Sequence, residues 1–160
     1  MTLRRIKSTP VRVAGVALLI VSTGMATSAV VGFIDGGGDG VALLWSTVIT
    51  AVAGAAFLFG AQSGERSDPA LSFAAVTWAW IAASVAGALP FLLTGVIPWR
   101  HADNALFESV SGFTCTGSTI LGDIEAVPHG LLFFRQMTQW FGGMGLIVLA
   151  VAVLPALKVG

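Results

Sequence analysis

A chain of 160 residues that is 56% hydrophobic and only 10% charged is too apolar for a water-soluble domain, where about a quarter of residues carry charge. Eight Lys and Arg balance eight Asp and Glu, so bulk charge gives no support for a nucleic-acid partner. Cys115 is the one cysteine, which leaves no intrachain disulfide and no cysteine-based metal cluster. The length has room for about four helical spans of roughly 20 residues each in a lipid bilayer.

The first apolar stretch, 13–34, follows Arg4, Arg5, Lys7 and Arg12. A basic start before an apolar run also describes a signal peptide, with a small-residue site near Ser28 and Ala29. The stretch is longer than a usual signal core and continues past that site, so a retained helix is predicted. DGGGDG, 35–40, reads as a hairpin loop, because no Lys-Ser/Thr pair follows to make it a phosphate loop. A second span is predicted over 41–61. The polar loop QSGERSDP, 62–69, ends in Asp68 and Pro69, a cap and a first-turn proline. The third span covers 70–97, and Pro90 within it predicts a kink, because one backbone hydrogen bond is lost. Of Trp78, Trp80 and Trp99, candidate interface anchors, only Trp99 sits clearly at a span's end. The last apolar stretch, 131–157, carries Arg135 near its start and FGGMG at 141–145, and Pro155 closes it.

Alternating spans put Arg4, Arg5, Lys7, Arg12, Arg66 and Lys158 on one side. Asp35, Asp39, Asp103, Asp123 and Glu125 then share the other, with Arg100. Basic residues stay inside, so both termini are expected in the cytoplasm and the chain in the cell's inner (plasma) membrane. This holds only if 103–120 does not cross, and that segment is too short and too polar to cross. The predicted fold is therefore an all-α membrane protein with four transmembrane helices plus one re-entrant pore helix and an extended filter strand.

Asp103 or Asn104 can cap a helix through Gly112 of roughly 14 Å, half of a hydrocarbon layer of roughly 30 Å. FTCTGST must then return to the surface, which backbone does at membrane depth only inside protein or along a water-filled cavity. Gly117 permits angles that turn carbonyls toward one axis, and small side chains let several such strands approach. Stacked carbonyls replace the water shell of a dehydrated cation. The alternative is that TCTGST is only a polar turn between helices.

FESVSGFTCTGSTIL, then PHGLLFFRQMTQWFGGMGLIVLAVAVLPAL, with GALPFLLTG at 87–95, resembles the TrkH-like members of the Trk/Ktr potassium-uptake family. The resemblance is strong over 70–160, one helix–pore-loop–helix repeat; 1–69 matches more loosely as the two leading helices of that branch. It implies four successive repeats around one pore and potassium as the transported ion, with coupled sodium or proton movement proposed. It also implies a homodimer of the full-length form and a cytosolic nucleotide-binding regulatory subunit. Thr114, Cys115, Thr116, Gly117 and Ser118 correspond to the first filter strand, although many relatives have threonine where Cys115 stands. The chain holds one such strand and stops at Gly160, where relatives continue. It is therefore read as a partial chain that relies on the remaining repeats or on further copies of itself. A non-conducting membrane subunit or fragment, and a homotetrameric cation channel, are the rival readings.

Glu108, inside the pore helix, is expected to hydrogen-bond around the filter. Arg135 is expected to pair with Glu108, Asp123 or Glu125, against the plainer reading that it snorkels to the interface. Gly142, Gly143 and Gly145 are read as close-packing sites against the pore helix, and Gly54 and Gly60 as packing sites too. His101 and His129 read as solvated loop histidines. No cofactor and no enzyme activity are expected: GxSxG and HExxH are missing from the sequence, and Cys115 has no partner base.

Overall fold

The computed structural model describes residues 8–61 and 69–153. The Asp68 cap, Arg4, Arg5, Lys7, Arg66, Pro155 and Lys158 lie outside those residues. Among the described residues every regular element is a helix: α1 (Ser8–Asp35), α2 (Gly40–Gly60), α3 (Pro69–Leu93), a 3-10 turn (Trp99–His101), α4 (Ala102–Phe113) and α5 (His129–Val153), while residues 114–128, which include the expected extended strand, are irregular. Pro10–Asp35, Gly40–Gly60 and Phe73–Leu93 are long and apolar enough to cross a membrane.

α1 is the hub and packs against α2, α3 and α5. Its approach to α2 depends on missing side chains. An added Cβ on Gly15 would lie 2.9 Å from the Gly54 carbonyl oxygen, and one on Gly54 3.0 Å from that of Gly15. Small residues are how helices come close where lipid removes the hydrophobic drive. Gly60 differs from the sequence-based expectation, because an added Cβ there meets nothing within 4 Å. The core joins Met25 and Ala29 of α1, Leu43 of α2, Phe91 of α3, and Leu131 and Phe134 of α5. Trp45, Val52 and Phe59 of α2 face outward. Several hydroxyls in the apolar helices bond back to carbonyls one turn earlier, Ser28 to Gly24 and Ser46 to Ala42, whereas the buried Thr50 hydroxyl of α2 has no partner among the described residues.

α3 stops at Leu93, short of the predicted 97. The helix runs on through Pro90 and ends where Gly95 takes φ +75°. There the Gly95 amide donates to Leu92 and the Ile97 amide to Phe91, a left-handed helix ending that glycine favours. Pro98 follows in extended conformation and hands the chain to the 3-10 turn. α4 therefore begins before Asp103 and Asn104, and neither caps it. Asp103 lies in the first turn instead, where its charge still favours the helix N-terminus. Trp80, within α3, packs edge-on against Phe113, ring centroids 6.5 Å apart.

Candidate ion-filter site

α4 delivers the site. Its final carbonyls, left without partners by helix geometry, are taken up by amides of the segment that follows. The Thr114 amide donates to Val110 (2.9 Å), Cys115 to Gly112 (3.0 Å), Thr116 to Ser111 (3.0 Å) and Gly117 to Ser111 (3.4 Å). The turn closes because two residues adopt left-handed backbone, Cys115 at φ +56° and Gly117 at φ +74°. The sequence points to Gly117 for this role. It gives no such signal for Cys115, a residue type that rarely adopts this conformation. With the N–H groups turned back to the helix, the carbonyls of Thr114, Cys115 and Thr116 accept no hydrogen bond among the described residues. All five residues from Thr114 to Ser118 are exposed in this chain.

The reverse side is held by a buried ion pair. Glu108 is 1% exposed and Arg135 6% exposed, and the Arg135 Nε donates to Glu108 Oε2 over 3.1 Å. Glu108 Oε1 accepts from the Thr119 hydroxyl and the Ile120 amide, both at 2.6 Å. Arg135 Nη2 reaches the carbonyls of Gly117 and Ser118, each at 3.4 Å. The Ser111 hydroxyl donates to the Ser118 carbonyl over 2.6 Å. One carboxylate and one guanidinium thus fasten residues 117–120 to α4 and α5. Of the partners considered for Arg135, the structure selects Glu108; Asp123 instead accepts from the amides of Glu125 and Ala126. Ser111 and Thr119 were not singled out by sequence reasoning. Ser111 stands three residues after Glu108 on the same face of α4, and that spacing is the signal available.

α5 approaches the end of α4 through glycine. An added Cβ on Gly142 would collide with the carbonyl oxygen of Phe113, and one on Gly143 would lie 3.8 Å from Cys115 Sγ. Gly145 departs from the expectation, since it faces Trp80 of α3 rather than the pore helix. Two contacts between α3 and α4 also escaped sequence reasoning: the buried Ser109 hydroxyl donates to the Ser84 carbonyl over 2.7 Å, and Gly87 gives way to Ser109 and Phe113. His129 is not simply solvated, since its Nδ1 lies 2.8 Å from Asp35 Oδ2. His101 is exposed in the 3-10 turn.

The family profile described as TrkH, cation transport protein, matches residues 42–160. The chain belongs to the TrkH family. It is 39% identical over 151 residues to the Trk system potassium uptake protein TrkH of Escherichia coli K12, which covers 93% of this chain and 31% of that protein. Trk system potassium uptake protein TrkI of Halomonas elongata is 47% identical over 88 residues, covering 55% of this chain and 18% of its own length. The crystal structure of the potassium transporter TrkH from Vibrio parahaemolyticus superposes with a TM-score of 0.83 at 35% identity, over 100% of this chain and 33% of that one. This TrkH-family chain thus spans about a third of the length of these TrkH relatives.

Proposed function

We propose that the chain supplies the first of four filter strands of a Trk-type potassium pathway. In this reading α1, α2, α3 and α5 cross the membrane and α4 enters and returns. Both termini are cytoplasmic, and residues 70–160 form one pore repeat behind the leading hairpin. The ion is held by backbone oxygens of Thr114, Cys115, Thr116 and Gly117, the last of which also lies 3.4 Å from Arg135 Nη2. Ser118 belongs to the same strand, but its carbonyl is engaged by Ser111 and Arg135 and serves to hold the strand in place. Glu108, Arg135, Gly142 and Gly143 support the strand from behind. The observation that carries this reading is the division of the 114–116 backbone, whose amides bond to α4 while its carbonyls, in exposed residues, accept no hydrogen bond among the described residues. Such oxygens are the ligands that replace a cation's hydration shell.

One strand cannot surround an ion, so the remaining repeats or further copies of the chain complete the pore. A homodimer of the full-length form and a cytosolic nucleotide-binding subunit are the partners the family suggests. The test is rubidium uptake by potassium-uptake-deficient cells. Uptake is expected with a full-length transporter that includes this chain, and uptake no greater than in cells without it overturns the proposal. Uptake restored by the 160 residues alone would favour the homotetrameric arrangement.

A further inference from the structure

Asp39 lies in the turn between α1 and α2, far in sequence from the filter, and it is buried, at 4% exposure. Its Oδ2 accepts the Leu131 amide over 2.8 Å across 92 residues of chain. Leu131 is in the first turn of α5, where amides have no partner within the helix and a carboxylate is favoured by the helix dipole. Two glycines make the space. An added Cβ on Gly130 would lie 2.6 Å from Asp39 Oδ2, and one on Gly32 2.6 Å from Oδ1. The exposed contact between His129 and Asp35 is a weaker link at the same end of α5.

Leu131 and Arg135 are one helical turn apart on the same face, and a turn of α-helix is stiff. Fixing the Leu131 amide therefore fixes how far α5 stands along its axis where Arg135 leaves it. That matters because the bonds from Arg135 to the Gly117 and Ser118 carbonyls are both 3.4 Å long. They are near the limit at which a hydrogen bond survives, so a shift of a few tenths of an ångström breaks them.

We infer that Asp39 is a positioning residue for the filter: it sets the register of α5, and through Arg135 it sets the place of residues 117 and 118. The consequence for ion selectivity rests on the proposed function, whereas the structural consequence does not. Cys115, the chain's one cysteine, reports on the strand directly, since its Sγ lies 3.2 Å from the Gln139 carbonyl of α5.

The test measures maleimide modification of Cys115 in the full-length transporter in lipid nanodiscs, read at the Cys115 peptide by mass spectrometry. Asp39→Ala is expected to raise the rate about fivefold, the population change that one lost hydrogen bond of ordinary strength gives. Asp39→Asn keeps an acceptor oxygen and should raise it less. Asp39→Ala combined with Arg135→Lys should add nothing to Arg135→Lys alone, and Ser46→Ala, in α2 away from this contact, should leave the rate unchanged. An unchanged rate in Asp39→Ala, additive effects with Arg135→Lys, or an equal rise in Ser46→Ala overturns the inference. If Asp39→Ala does not fold, Gly130→Ala displaces the same carboxylate, and a wild-type rate there overturns it equally. In the full-length transporter, Asp39→Ala should lower rubidium uptake relative to sodium uptake. A wild type that carries no rubidium defeats the proposed function and leaves the thiol result standing. A conducting wild type, with ratio and thiol rate both unmoved in Asp39→Ala, defeats this inference alone.

Discussion

Glu108 and Arg135, 27 residues apart, form a 3.1 Å ion pair whose side chains are 0% and 8% exposed, and between them they bond to Gly117, Ser118, Thr119 and Ile120. Taking two charges out of water is costly, and such a pair need not add net stability. Removing one partner is a different matter, because the other is then left buried and uncompensated. Arg135→Met is expected to destabilise the fold by about 3–5 kcal/mol. Glu108→Gln together with Arg135→Met should cost less than Arg135→Met alone. Thermal unfolding in detergent measures both, and a double variant no more stable than the single one would show that the pair is not the unit it looks like.

The glycines of α5 and α2 give a contrast that separates packing from helix propensity. Gly142→Ala forces a methyl group into the backbone of Phe113, which has no flexible end to move aside. Loss of folded protein is the expected result. Gly60→Ala meets open space at the end of α2, and alanine is the better helix former by about 1 kcal/mol, less so at a helix end. Its yield should equal or exceed that of the wild type. Size-exclusion profiles of the two variants in detergent decide the point, and a folded Gly142→Ala would mean that α5 is free to back away from α4.

Much of this architecture was legible because its signals are local. Apolar runs give the three helices long and apolar enough to cross a membrane, Gly117 announces unusual backbone, and a glutamate deep in a short apolar helix demands a partner. Arg135 could be proposed as that partner, but the choice among Glu108, Asp123 and Glu125 required three dimensions. Contacts between distant elements stayed hidden for the same reason. Asp39 looks like an ordinary loop aspartate until Leu131 arrives from 92 residues away. The left-handed Cys115 was equally invisible, because its angle is imposed by bonds from its neighbours to the end of α4 rather than by its own side chain.

The seam between α3 and α4 supplies a graded pair. Ser109→Ala removes the hydroxyl that reaches the Ser84 carbonyl and leaves room behind, so a loss of about 1 kcal/mol is expected. Gly87→Ala pushes into Ser109 and the ring of Phe113 together and should cost more. Denaturant titration of both variants should preserve that order, and the reverse order would mean that the seam yields to overpacking.

Gly117 and Cys115 share left-handed backbone, yet opposite substitutions at them should have unequal effects. An added Cβ at Gly117 meets nothing within 4 Å, so Gly117→Ala acts through conformation and not through collision. The left-handed region costs an L-residue about 1–2 kcal/mol, small enough for the fold to survive. The strand relaxes by rotating about Gly117, and that rotation swings the Thr116 and Gly117 carbonyls, the oxygens proposed to hold the ion. Cys115→Gly removes a strained side chain instead and leaves those carbonyls where they are. Rubidium and sodium uptake by a full-length transporter should therefore show selectivity weakened or uptake lost in Gly117→Ala at near-normal membrane abundance, and retained in Cys115→Gly. Unchanged rubidium uptake in Gly117→Ala would mean that the ion does not depend on the direction of these carbonyls.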